Sequence, residues 1–440
     1  MRIPTRTAAA TSLAALALAS LAACGGADTS SASSSASVPA ASVAGAVTAE
    51  QMFGVINQAA LKPKSTGNPF VDVRTAAAHM PMSAEALAGG IVTAAKIKGA
   101  VASDAANLRS GLTYLLTEHV YLAGIAVATA YHAGADSAAF KAAAATLDEN
   151  SKAVAAAVGS VAPKEEASFL AKWRGHVGDF VTYAVGAKTG GAKGAKLKKV
   201  AVKNLTAYAK EQGMFFDRIS GGALPAKAVE KDLMGHILSL AGAVDAFAAG
   251  KPEAYTLLKE AAHHMSGSAM VLATGVDKAT KMKGNPNDAA SALRAELTRM
   301  LTDHVYLAGI AVFTAYTADG GLTGAAFKGA AAALDKNSVE IAKAVGSVAG
   351  KANETAFLAG WRAHVGDFVT YAKGAATGNK KLKKTALGNL EGYSIASGAF
   401  FSKITGGALP ADVVAKDFRI HIETTAGAID SLKAALIVTS

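Results

Sequence analysis

Eight of the ten histidines in this 440-residue chain fall into two sets of four. His79, His119, His176 and His236 make the first set, and His264, His304, His364 and His421 the second. Imidazole is a common metal ligand and titrates near neutrality, so four on converging faces point to metal or proton chemistry. Their surroundings are apolar. Leu115 and Leu116 precede His119 by four and three residues, and Leu122 and Ala123 follow it at three and four. On a helix that places the imidazole on the core stripe. Trp173, His176, Phe180 and Tyr183 share one helical face, as do Trp361, His364, Phe368 and Tyr371. Leu233, His236 and Leu240 repeat the pattern, and Phe418 stands three before His421.

Carboxylates accompany three of the four places. Asp179 and Asp367 lie three after their histidines, and Asp232 and Asp417 four before theirs. These spacings share a helix face. Glu118 and Asp303 adjoin His119 and His304 about 100° round the helix, so they flank the site rather than face it. The expected ligand set is therefore His79, His119, His176 and His236, with Asp179 and Asp232 as ligands or orienting partners. In the second copy it is His264, His304, His364 and His421, with Asp367 and Asp417. Imidazole suits copper, zinc and iron, and thioethers favour Cu(I). Met80 and Met82, or His263-His264-Met265, would suit copper if the methionines turn inward, although ordinary core filling is the favoured reading of these methionines. His-plus-carboxylate helical bundles are similar in architecture to hemerythrin and the ferritin-like di-iron proteins. The Glu-x-x-His pairs of the ferritin-like type are absent, however, and the nearest pattern is His-x-x-Asp at 176/179 and 364/367. A haem or di-iron redox centre is the enzymatic alternative; no C-x-x-C-H attachment site is present. Histidines can also serve only as buried hydrogen-bonding groups that fix bundle register, which leaves an interaction or spacer module.

The elements that must position these residues repeat. Thr117-Glu118-His119-Val120-Tyr121-Leu122-Ala123-Gly124-Ile125-Ala126-Val127 returns as Thr302-Asp303-His304-Val305-Tyr306-Leu307-Ala308-Gly309-Ile310-Ala311-Val312. Pairs are separated by 185 residues at His79/His264, 187 at Phe140/Phe327, 188 at Trp173/Trp361 and 185 again at His236/His421. The register shifts at Ala133-Gly134-Ala135, Ala162-Pro163-Lys164 and Gly190–Gly194, which are read as loops. Apolar residues recur at three and four, and no segment sustains strand alternation. The fold expected is all-α: two tandem homologous antiparallel bundles, four-helix-bundle-like, with about six helices per copy. Helices are predicted at 70–98, 103–132, 137–158, 164–187, 195–219 and 225–249, with matching ones in the second half and a short one near 50–60. Pro81 and Ser266-Gly267-Ser268 weaken the first helix of each copy just past its histidine. Gly250-Lys251-Pro252 separates repeat 1, residues 49–250, from repeat 2, residues 251–440.

Residues 1–23 have the pattern of an export signal, with Arg2 and Arg6 ahead of an apolar run. Leu21-Ala22-Ala23-Cys24 resembles the lipobox of bacterial lipoproteins, and Cys24 is the chain's one cysteine. The resemblance implies cleavage before Cys24 and lipidation of it, hence an extracytoplasmic protein anchored to a membrane of the bacterial cell envelope. Residues 24–48 are Ser/Ala-rich and read as a tether. No later run reaches about 20 uninterrupted apolar residues. One cysteine excludes a disulfide framework and a thiolate cage.

The formal charge is +11, two of it carried by the leader. With export, this favours anionic envelope polymers or lipid head groups over nucleic acid as partners. Lys193, Lys196, Lys198, Lys199 and Lys203, echoed by Lys380, Lys381, Lys383 and Lys384, read as a solvated helix face or as that contact surface. Nucleophile-elbow, P-loop and H-E-x-x-H motifs are absent, and nothing argues for a hydrolase.

Overall fold

A computed structural model describes residues 62–436; Cys24, the leader, the tether and the helix expected near 50–60 lie outside them. The described chain is all-α, with no strand. Its helices are α1 (Pro69–Ala78), α2 (Met80–Ala95), α3 (Asp104–Ala133), α4 (Ala138–Gly159), α5 (Glu166–Thr189), α6 (Gly191–Ile219) and α7 (Ala226–Ala248). They continue as α8 (Ala254–Thr280), α9 (Ala289–Thr317), α10 (Ala325–Ala349), α11 (Lys351–Ala376), α12 (Lys380–Ile404) and α13 (Ala411–Leu436). Short polar side chains start several of them by accepting the otherwise unpaired first-turn N–H groups. Ser103 accepts from Ala106 N, Ser137 from Phe140 N, Asp288 from Ser291 N and Asn379 from Leu382 N.

Two helix boundaries differ from the expectation. The helix predicted over 70–98 breaks at His79, where Pro81 occupies the first turn of α2. Its counterpart α8 runs unbroken through Ser266-Gly267-Ser268, because those residues lower helix propensity without removing an N–H from the ladder. The loop expected at 190–194 shrinks to a tight turn. Gly190 and Gly191 have φ of 64° and 58°, and α6 starts at once.

Packing does not follow the sequence copies. Within each copy the successive long helices pack antiparallel, α3 to α7 in the first and α9 to α13 in the second. The leading helix of each copy, however, lies against the other. Helix α8 packs on α3 and α7, and α1–α2 pack on α9 and α13. Equivalent glycines permit this exchange. A Cβ on Gly124 would sit 2.6 Å from the Leu258 side chain of α8, and one on Gly275 would sit 2.1 Å from Leu224. Their counterparts repeat it, Gly309 facing Val73 and Gly90 facing Leu409.

The halves meet along α3 and α9 in a buried polar seam. Tyr121 and Tyr306 stack with centroids 5.4 Å apart and planes 8° from parallel. Each phenol donates to a carboxylate on the opposite helix, Tyr121 to Asp303 at 3.0 Å and Tyr306 to Glu118 at 2.9 Å. Arg74 of α1 also reaches Glu118, at 3.2 Å, and Arg299 bonds Asp303 at 2.6 Å. Burial pushes the Asp303 carboxyl up to about 6, against the opposing pull of Arg299 and Lys259. Losing one such donor leaves a buried carboxylate oxygen unpaired, at roughly 1–3 kcal/mol.

Helix α3 is long and apolar enough to span a membrane by composition, yet 67% of its apolar window is buried inside the fold, as in a core helix.

The exchange yields a prediction for half of the chain. A fragment of residues 49–250 lacks α8, and its α1–α2 have no partner to cover. Two such fragments satisfy each other by the same exchange, so sedimentation should report a dimer. A folded monomer would contradict the packing described.

Candidate metal centre

Three of the four histidines in each set converge. Possible ligand atoms of His119, His176 and His236 all lie within 4.8 Å of one another, and so do those of His304, His364 and His421. They come from α3, α5 and α7 in one bundle and from α9, α11 and α13 in the other. None of the six is more than 5% exposed. In the second cluster the Nε2 atoms of His304 and His364 face each other at 3.4 Å. One tetrahedral ion bonded to two imidazoles at about 2.0–2.1 Å would hold their nitrogens roughly 3.3 Å apart. The third nitrogen, on His421, lies within 4.8 Å of both.

Aromatic rings fix the imidazoles. Trp173 lies 4.8 Å from His119 and 4.6 Å from His176, centroid to centroid. Trp361 does the same at 4.7 Å from His304 and 4.6 Å from His364. Tyr208 stacks on His176 at 4.7 Å and Tyr393 on His364 at 4.6 Å. The two tyrosines are separated by the same 185 residues, a signal in the self-comparison that the sequence reading did not use. Buried Asn150 was also missed. Its amide donates to Leu115 O at 3.0 Å and to Glu118 Oε2 at 2.9 Å, tying the seam to the turn that carries His119.

Burial keeps these imidazoles neutral. It lowers His119 to about 4, partly offset by Asn150, and lowers His421 to about 4, with Asp417 opposing. His236 falls to about 3, through burial and then the neighbouring His119 and His264. His176, His304 and His364 are held well below the ordinary range by burial and by neighbouring histidines. A neutral ring nitrogen is the form that binds a metal. Each of the six also has one buried ring nitrogen without a hydrogen-bond partner: Nε2 in His421 and Nδ1 in the other five. Six such orphans are unusual in a packed core.

The other expected ligands stand outside the clusters. His79 Nε2 bonds Asp417 Oδ1 at 2.5 Å, and His264 Nε2 bonds the Asp232 carbonyl at 3.1 Å, with Asp232 Oδ1 at 3.5 Å. Both histidines ride on the exchanged helices, which intra-copy helical spacing could not place. Asp179 and Asp367 turn away to Asn204 and Asn389, each at 2.8 Å, and burial raises the Asp179 carboxyl. Three residues on from the histidine is one face only approximately, enough to bring each aspartate to the neighbouring helix instead. Glu118 and Asp303 flank as expected, serving the seam. Met82 is 62% exposed, whereas Met80 and Met265 are buried. Within the lysine runs, Lys198 is bound to Asp245 over the Tyr183 ring and Lys383 to Asp430 over Tyr371, so these two brace helices.

The depressed histidines set an acid sensitivity. Unfolded histidines take up protons near pH 6.5, while folded His119 and His421 refuse them until about pH 4, His236 until about pH 3, and the other three are likewise depressed. The unfolded chain therefore binds more protons in that window. The stability contribution is complete above pH 6.5 and is lost as pH falls through the folded values. Urea midpoints of the metal-free protein should fall steeply between pH 6.5 and 4, and His236→Leu should flatten that slope. An unchanged slope would place His236 in a solvated setting.

No family model, no curated protein and no solved structure matches this chain, so the reading of the site rests on its geometry.

Proposed function

We propose that this chain binds transition-metal ions, one in each three-histidine cluster. It does so outside the cytoplasm, at a membrane to which a lipid on Cys24 tethers it. The observation that carries the reading is the convergence of three neutral, buried imidazoles within 4.8 Å, twice, on helices fixed by packing. Bundle cores are where facing helices assemble such sites. A di-iron centre is disfavoured because both clusters consist of histidine alone, without the bridging carboxylates that such centres use.

Three imidazoles leave a coordination position open, as in zinc and copper sites. What supports copper over zinc and iron is the position of Met80 and Met265. Met265 lines the same cavity as His176 and His236, and Met80 the same cavity as His304 and His421. A thioether on that wall favours Cu(I). The envelope location rests on the export pattern and the lipobox resemblance, and the basic surface suits anionic polymers or head groups there.

The protein isolated from membranes without chelators should carry or take up two equivalents of copper, with a matching rise in melting temperature. His119→Ala combined with His176→Ala should leave one equivalent, and adding His304→Ala with His364→Ala should leave none. Stoichiometry unchanged by the first pair would remove those residues from the site. Cys24→Ser should move the protein from the membrane to the soluble fraction in the same preparation; retention there would remove the lipid anchor.

A further inference from the structure

A buried cluster poses the problem of entry. The six histidines are shielded from water, and an ion crossing an apolar wall loses its hydration before it gains its ligands. Beside the first cluster lies a cavity of about 90 Å³, bordered by His176 and His236; beside the second lies one of about 60 Å³, bordered by His304 and His421. Their walls are mostly leucine, valine, isoleucine and aromatic side chains. Among the described residues each cavity is lined by one carboxylate, Asp232 in the first and Asp417 in the second. These two occupy equivalent positions, one helical turn before the cluster histidines His236 and His421.

Each carboxylate meets a histidine delivered by the exchanged helix, His264 at Asp232 and His79 at Asp417. Unlike the clusters, both pairs reach solvent. The side chains are 34% and 23% exposed for His264 and Asp232, and 11% and 29% for His79 and Asp417. In the first pair the His264 ring lies so close to α7 that a Cβ on Gly235 would approach within 2.9 Å of it. The pair thus has one side towards water and the other towards the cavity and the cluster.

We propose that Asp232 with His264, and Asp417 with His79, are entry sites that capture a transition-metal cation and pass it to the adjacent three-histidine cluster. This rests on the metal-binding reading above. The carboxylate supplies negative charge at the point where hydration is lost, and the imidazole supplies a second ligand until His236 or His421 takes over. A group that lowers the barrier without belonging to the final site accelerates arrival and departure alike and leaves the equilibrium constant unchanged. A ligand of the final site would instead change the affinity.

The chain's two tryptophans make the test direct, because each touches two histidines of one cluster. In the full chain carrying Trp361→Phe, stopped-flow quenching of Trp173 by copper(II) reports loading of the first cluster alone. Chelator competition reports release. Adding Asp232→Asn should slow both rates about tenfold or more, the scale of removing one charge near a partly buried ion, with Kd unchanged. His264→Gln should slow them in the same direction. The Trp173→Phe background with Asp417→Asn examines the second cluster. Asn is close in size to Asp, and circular dichroism verifies that each variant is folded. Unchanged rates in Asp232→Asn would overturn the entry role alone. Faster release with a weakened Kd would overturn it by making Asp232 a resident ligand. Absence of quenching in the parent protein would instead remove the metal-binding reading itself.

Discussion

Two buried carboxylates, Glu118 and Asp303, set the constraint on which the rest of this structure depends. Each is completely shielded from solvent and each accepts a hydrogen bond from a tyrosine on the opposite central helix. A buried carboxylate is costly unless its oxygens are fully paired. That requirement fixes how α3 and α9 face one another. His119 and His304 are the next residues along, about 100° round each helix. With the carboxylates turned to the seam, the imidazoles must turn into the two bundles. The seam between the halves and the clusters within them are therefore set by the same helix rotation.

The exchanged helices follow from the same arrangement. Helix α3 packs along α9 and also receives α8, while α9 receives α1 and α2. Such contacts need backbones to approach closely, and Gly124 and Gly275 provide the room. Arg74 on α1 then reaches Glu118 in the seam. Lys259, 185 residues on in α8, pairs with Glu340 at 2.6 Å beside Arg299 and Asp303. The exchange thus brings a cation to each side of the seam and a histidine to the aspartate that lines each cavity. In chemical terms, each candidate centre has an inner part made by its own copy and an outer part in which its own copy's aspartate meets a histidine lent by the other.

The inner part is dry and aromatic, which keeps its imidazoles neutral, and it lies next to a cavity rather than to solvent. The outer part pairs one carboxylate with one half-buried histidine. On the reading proposed above, this division would separate holding an ion from admitting it. A site built on both parts at once would have a mixed histidine and carboxylate shell, which the sequence pattern suggested and the geometry does not form.

Much of this was legible in the chain itself. Periodicity at three and four and the 185-residue echo determine an all-α fold of repeated helices, because those signals are local. The same local logic placed His119, His176 and His236, and their counterparts, on core faces, and the structure brings them together as two clusters of three. It also indicated that Glu118 and Asp303 would lie to the side. Tertiary structure alone decided the remainder. That α8 crosses to α3, and α1–α2 to α9, depends on contacts between residues far apart in sequence, such as Leu258 against Gly124. His79 and His264 ride on those helices, so their partners, Asp417 and Asp232, could not be told from ligands of the inner clusters. Asp179 and Asp367 share a helix with a cluster histidine, yet a turn of about 300° over three residues leaves them nearer Asn204 and Asn389 than the site. Sequence spacing specifies a direction around one helix; which neighbour occupies that direction is a property of the packing.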